Sequence, residues 1–98
     1  GLDVLAQAEV YQNPVAITIN SQLSDGSSTF DLRPAFFARI LAHEIKHVMQ
    51  ATEEMPLSDF RALHSSQGLF SNVWRHSLEH SAYGYSCAQT PTLTAPCQ

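Results

Sequence analysis

Three residues of this 98-residue chain stand at a spacing that can do chemistry: His43, Glu44 and His47, within the run His43-Glu44-Ile45-Lys46-His47. This is an HExxH pattern. On a helix, residues four apart project side by side, so two imidazole nitrogens can face one ion. Zinc accepts such a pair readily. Glu44, adjacent to the first ligand, is then placed to take a proton from a water attacking a peptide carbonyl that the metal polarises. A shuffled chain with five His and five Glu would contain the pattern about 1% of the time. The competing reading is a surface histidine pair beside a merely solvated Glu44.

A catalytic zinc takes three protein ligands and leaves one position open, so a third residue must come from elsewhere. Glu53 lies six residues beyond His47, but Gln50 stands where a chain-turning glycine would be needed, and a continuing helix aims Glu53 away. His64 follows Pro56 on a short segment, where an isolated histidine is more often solvated. Glu79 is the strongest candidate, because it lies within a separate downstream helix whose polar face can lie over the first. Its alternative is a surface carboxylate paired with Arg75 one turn earlier, a contact of only ~0.3–0.5 kcal/mol. His76, His80, Tyr83 and Tyr85 share that neighbourhood and can orient a ligand or stabilise an oxyanion. Of these, Tyr83 and His76 are expected to be catalytic. A closed, non-catalytic zinc module would instead fill the fourth position with His64, His76, His80 or a cysteine.

These residues need elements to hold them. Leu2, Leu5, Ala6 and Val10 form a weak helical stripe ended by Asn13-Pro14. Val15 to Asn20 alternates like a strand, and after the turn Ser24-Asp25-Gly26-Ser27 the segment from Ser28 to Leu32 is expected to return as its hairpin partner. Pro34 opens a helix that runs to about Thr52. On it Arg39, Lys46, Gln50 and Glu53 make a polar face, with Phe37, Leu41, Ile45 and Val48 opposite and the two motif histidines at the border. Pro56 stops that helix, and Ser58 caps a short turn through Leu63. A last helix spans Leu69 to about Tyr85, with Phe70, Val73, Trp74, Ser77 and Leu78 as its packing stripe. The expected fold is therefore α+β and mainly helical, a small sheet or hairpin preceding the HExxH helix and a second long helix supplying the third ligand. Residues 1–98 are expected to form one domain.

Composition supports a packed globule: 44% of residues are hydrophobic and 14% charged. The net charge of −4 and five scattered basic residues provide no footprint for nucleic acid. No apolar run approaches the roughly 20 residues of a membrane span, and the start lacks a signal-peptide pattern, so Gly1 reads as the start of a mature product or excised domain. Cys87 and Cys97 lack metal-ligand spacing. They read as a disulfide closing the tail or as two thiols, and a bridge would favour a secreted destination.

The pattern also resembles a known group. In the gluzincin branch of zinc metallopeptidases, HExxH is followed on a later helix by a glutamate ligand with a small residue three positions on; here that pair is Glu79 and Ala82. The run Leu41-Ala42-His43-Glu44-Ile45-Lys46-His47-Val48-Met49-Gln50 is similar to the active-site helix of small bacterial domains of this group, including minigluzincins. The resemblance implies a Zn2+-dependent endopeptidase, with His43, His47 and Glu79 binding the metal and Glu44 acting as general base. Tyr83 departs from it, standing where many members carry an acidic residue. Such domains occur as secreted peptidases and as toxic parts of delivered bacterial effectors. The expected partners are thus a protein or peptide substrate and an inhibitor or immunity protein, with the chain itself monomeric and neither nucleic acid nor membrane involved. A latent or structural zinc module is the alternative.

Overall fold

A computed structural model describes the backbone of residues 4–65, 71–91 and 93, and the side chains of these except residues 65 and 71–76. The chain is α+β: a two-stranded antiparallel sheet precedes three helices. The strand expected from Val15 is present as β2 (Ala16–Ile19). Its partner is not the segment after the turn but β1 (Ala6–Glu9), with Ala6 opposite Ile19 and Glu9 opposite Ala16. The expected N-terminal helix is therefore replaced by a strand. Ala, Gln and Glu favour helix by intrinsic propensity, but a segment this short gains little from it before Asn13-Pro14, and pairing with β2 instead lets Ala6 and Val10 be buried on one face.

Ser28 to Leu32 is not a strand. Thr29–Asp31 forms a 3-10 turn closed by a capping box, in which Ser28 Oγ accepts the Phe30 N–H and Asp31 accepts the Ser28 N–H. Thr29 is wholly buried there: its hydroxyl donates to the Leu5 carbonyl and its N–H to the Asn20 carbonyl, at 3.1 and 3.2 Å. The turn thus closes the end of the sheet. Gly26 supplies the one left-handed residue before it (φ 88°).

Helix α1 (Pro34–Met49) starts with proline at its first turn, as expected. It ends three residues earlier than the sequence suggests, in a π-helical turn over Gln50–Glu54, before Met55 turns extended and Pro56 prevents continuation. Lys46 closes this turn by an ion pair with Glu54. Helix α2 (Leu57–Ser65) is a full helix rather than a single capped turn. Helix α3 (Ser71–Gln89) runs four residues past its expected end. Residues Leu69 and Phe70, and the side chains of Val73 and Trp74, lie outside the described residues.

The simple two-faced description of α1 does not hold. Ile45 is exposed, whereas Gln50, assigned to the wet face, is 1% exposed. The reason is that α1 is covered on two flanks, by β1 and most extensively by α3. Small residues make the second contact close: Ala42 on α1, and Ala82 and Ser86 one turn apart on α3, are all buried. Val10, Ala51, Phe60 and Leu78 form a core cluster that joins the residue after β1 to the π turn, α2 and α3. At the far end of α1, Arg39 donates to the Thr90 hydroxyl (3.0 Å) and to the Leu93 carbonyl (3.2 Å), which ties the start of the tail to the motif helix. Cys87 is disulfide-bonded; the chain's other cysteine, Cys97, lies outside the described residues. No described helix is long and apolar enough to cross a membrane.

Candidate metal centre

His43 and His47 stand one turn apart on α1, with ring centroids 4.8 Å apart and planes at 80°. Their Nε2 atoms are 3.2 Å apart. Glu79 reaches them from α3 with one oxygen to each ring: Oε2 to His43 Nε2 at 2.8 Å and Oε1 to His47 Nε2 at 3.2 Å. The metal-binding atoms of the three residues all lie within 4.8 Å of one another, a group that can hold a metal ion. Zinc bonds of about 2.1 Å at tetrahedral angles would separate neighbouring donors by about 3.4 Å. The 3.2 Å between the two imidazole nitrogens is already close to that, and Glu79 sets one oxygen against each ring.

Second contacts orient one ligand. His47 is 6% exposed, and its Nδ1 lies 2.9 Å from Gln50 Oε1. The far end of the Gln50 amide, Nε2, donates to the Leu78 carbonyl at 3.1 Å. A carbonyl only accepts, so the amide nitrogen must face Leu78 and its oxygen must face His47. His47 therefore donates from Nδ1, so neutral His47 carries its lone pair on Nε2, the nitrogen turned towards Glu79, and protonated His47 donates from Nε2 to that carboxylate. The buried Nδ1 of His43 has no hydrogen-bond partner among the described residues, so His43 is held by packing instead. The ring of Tyr83, one turn beyond Glu79, lies 4.4 Å from it, centroid to centroid.

The electrostatics follow from these contacts. Hydrogen bonds from His43 and then His47 hold the Glu79 carboxyl far below the usual carboxylate range. For His47, burial opposes the charged form but is outweighed by the hydrogen bonds to Glu79 and Gln50 and by the nearby carboxylates, so its affinity for a proton is raised. Burial pushes the Glu44 carboxyl up, against the pull of His47, His43 and the backbone N–H of Ala8. A carboxyl whose proton affinity is raised beside a cluster of donors is suited to taking up and releasing a proton.

The residues singled out by the sequence divide cleanly. His43, Glu44, His47, Glu79 and Tyr83 all line one cleft of about 520 Å³, whose opposite wall is β1. His64 also lines that cleft but stands outside the three-residue donor group, and Glu53 lies exposed on the π turn. His76 lies on α3, its side chain outside the described residues. Gln50 is the residue that sequence reasoning missed. Its signal was present, since a residue three beyond the second histidine lies on the same flank of the helix.

No family model matches the sequence, and no curated protein or solved structure matches it closely enough to show kinship. What can be said of function rests on the site itself.

Proposed function

We propose that this chain is a zinc-dependent endopeptidase of the gluzincin type, with His43, His47 and Glu79 as zinc ligands and Glu44 as the general base. The observation that carries the reading is the convergence of the three donors, with the tautomer of His47 set by Gln50. Two imidazoles and one carboxylate are a donor set suited to zinc. Three protein donors are the number that a catalytic zinc site takes.

When bound, zinc would supply Lewis acidity, polarising the scissile carbonyl and acidifying a water. Glu44, raised in proton affinity by burial, takes the proton of the attacking water and returns it to the departing amine. Tyr83, exposed and with its ring tilted against His43, is the candidate to donate a phenolic O–H to the developing oxyanion.

The sheet supports a peptide as substrate. The Asn20 N–H donates to the Leu5 carbonyl, so Leu5, Gln7 and Glu9 direct their backbone groups towards β2. The alternation leaves the N–H and C=O groups of Ala6 and Ala8 on the other edge, and the Ala8 amide meets Glu44 there. An extended peptide pairing with that edge would lie across the candidate metal centre. Thr18 lies on β2 and Thr29 is buried, so neither belongs to that edge. The disulfide at Cys87 suits a secreted or delivered protein.

The test is incubation of the zinc-loaded protein with a mixture of unstructured peptides and identification of the products by mass spectrometry. Internal cleavage that is absent with Glu44→Gln supports the reading. Intact peptides, with zinc held stoichiometrically, would favour the structural module.

A further inference from the structure

The cleft changes character along its length. The donor group, Glu44 and Tyr83 occupy one part; Val10, Tyr11, Phe60 and His64 line another. Phe60 is the hinge between them. It is 3% exposed and meets His47 edge-on, with centroids 6.5 Å apart and planes at 66°. On Phe60, the His64 ring is stacked nearly parallel, 5.4 Å away at 12°. Tyr11 adds a third ring, 6.3 Å from Phe60, and the Arg61 guanidinium lies over Tyr11 at 4.6 Å. Tyr11 is thereby held between a buried ring and a cation.

From these rings we infer a specificity subsite for an aromatic side chain of the peptide substrate, formed by Tyr11, Phe60 and His64. The inference rests on the peptidase reading and deepens it by naming the substrate class. Three features carry it. The ring wall is continuous with the candidate metal centre through His47 and Phe60. Aromatic rings favour offset-stacked or edge-to-face partners, which this wall offers and a small aliphatic side chain cannot exploit. Tyr11 and His64 also line the same cleft as the donor group, so a peptide lying across the centre passes both rings. His64, weighed from the sequence as a metal ligand, instead serves here as a stacking surface.

The test compares zinc-loaded wild type with His64→Ala and Tyr11→Ala on matched peptides. These carry Phe, Leu or Ala at each of the two positions on either side of the scissile bond. At one position, wild type should favour Phe over Ala by at least 10-fold in kcat/KM, and each substitution should reduce that ratio several-fold while zinc content stays at one per chain. Cleavage with no aromatic preference at any of these positions, or a preference unchanged in both variants, overturns the subsite and leaves the peptidase reading intact. If wild type cleaves no peptide, that reading fails separately, and binding of the same peptides to zinc-loaded Glu44→Gln then decides. Tighter binding of Phe than Ala peptides, weakened by His64→Ala, supports the subsite; equal binding overturns it.

Discussion

Gln50 faces His47 across 2.9 Å with its oxygen, because its nitrogen is committed to the carbonyl of Leu78. One buried amide thus links a metal-ligand candidate on α1 to the backbone of α3, the helix that carries Glu79. Replacing it should affect both the site and the fold. Gln50→Leu should weaken zinc binding 10–100-fold, the usual cost of losing a ligand's outer hydrogen bond. It should also lower stability by about 1–3 kcal/mol by stranding the buried Nδ1–H donor of His47. Competition with a chromogenic chelator and urea denaturation measure the two effects.

The metal-free protein should have a characteristic pH dependence. Glu79 is held below its ordinary value of 4.5, so its contribution to stability is complete above that pH and is lost as pH falls through the lowered value. His47 is raised above 6.5, so its contribution is complete below that pH and is lost as pH rises through the raised value. The stability difference between wild type and Glu79→Gln should therefore be greatest between pH 4.5 and 6.5. Urea midpoints of the two metal-free proteins from pH 3 to 9 provide the check, and a difference that does not vary with pH would show that the carboxylate is not coupled to the histidines.

Glu44 should show the opposite balance of function and stability. Burial makes its ionised form unfavourable in the folded state, so it stabilises the fold less as pH rises above 4.5. Glu44→Gln at pH 7 should be as stable as wild type or more so in thermal unfolding, and it should still bind zinc. Marked destabilisation would mean that the carboxylate is a structural partner of the Ala8 amide rather than a group kept for proton transfer.

Ala82 is completely buried where α3 lies against α1, one turn beyond Leu78 and three residues after Glu79. Ala82→Leu should overpack this contact at a cost of about 1–3 kcal/mol, and it should displace Glu79 enough to weaken zinc binding. Ala82→Gly, which leaves room, should disturb the metal site less. Thermal unfolding and zinc titration of the pair separate the packing effect from the ligand effect.

Much of the centre was legible because it is local. His43, Glu44 and His47 are fixed relative to one another by one helix, and helical spacing alone brings the two imidazoles together. Glu79 was reachable because a second polar helix face needed a partner. Gln50 and β1 were not legible, for the same physical reason. The sequence around Gln50 resembles a wet helix face until α3 covers it, and Ala6 to Glu9 favours helix until β2 pairs with it. In both, long-range packing overrode the local pattern. The exposed Ile45 is the counterpart: the apolar periodicity placed it in the core, but the two covered flanks of α1 leave it outside.

The most direct test measures zinc stoichiometry and peptide hydrolysis side by side for wild type, Glu44→Gln and Glu79→Ala. A gluzincin-type peptidase holds one zinc and cleaves as wild type, holds zinc but loses activity by 10²-fold or more as Glu44→Gln, and loses both as Glu79→Ala. Zinc held by wild type without hydrolysis, and held equally well by Glu79→Ala, would contradict it and assign the third ligand and the role of the site elsewhere.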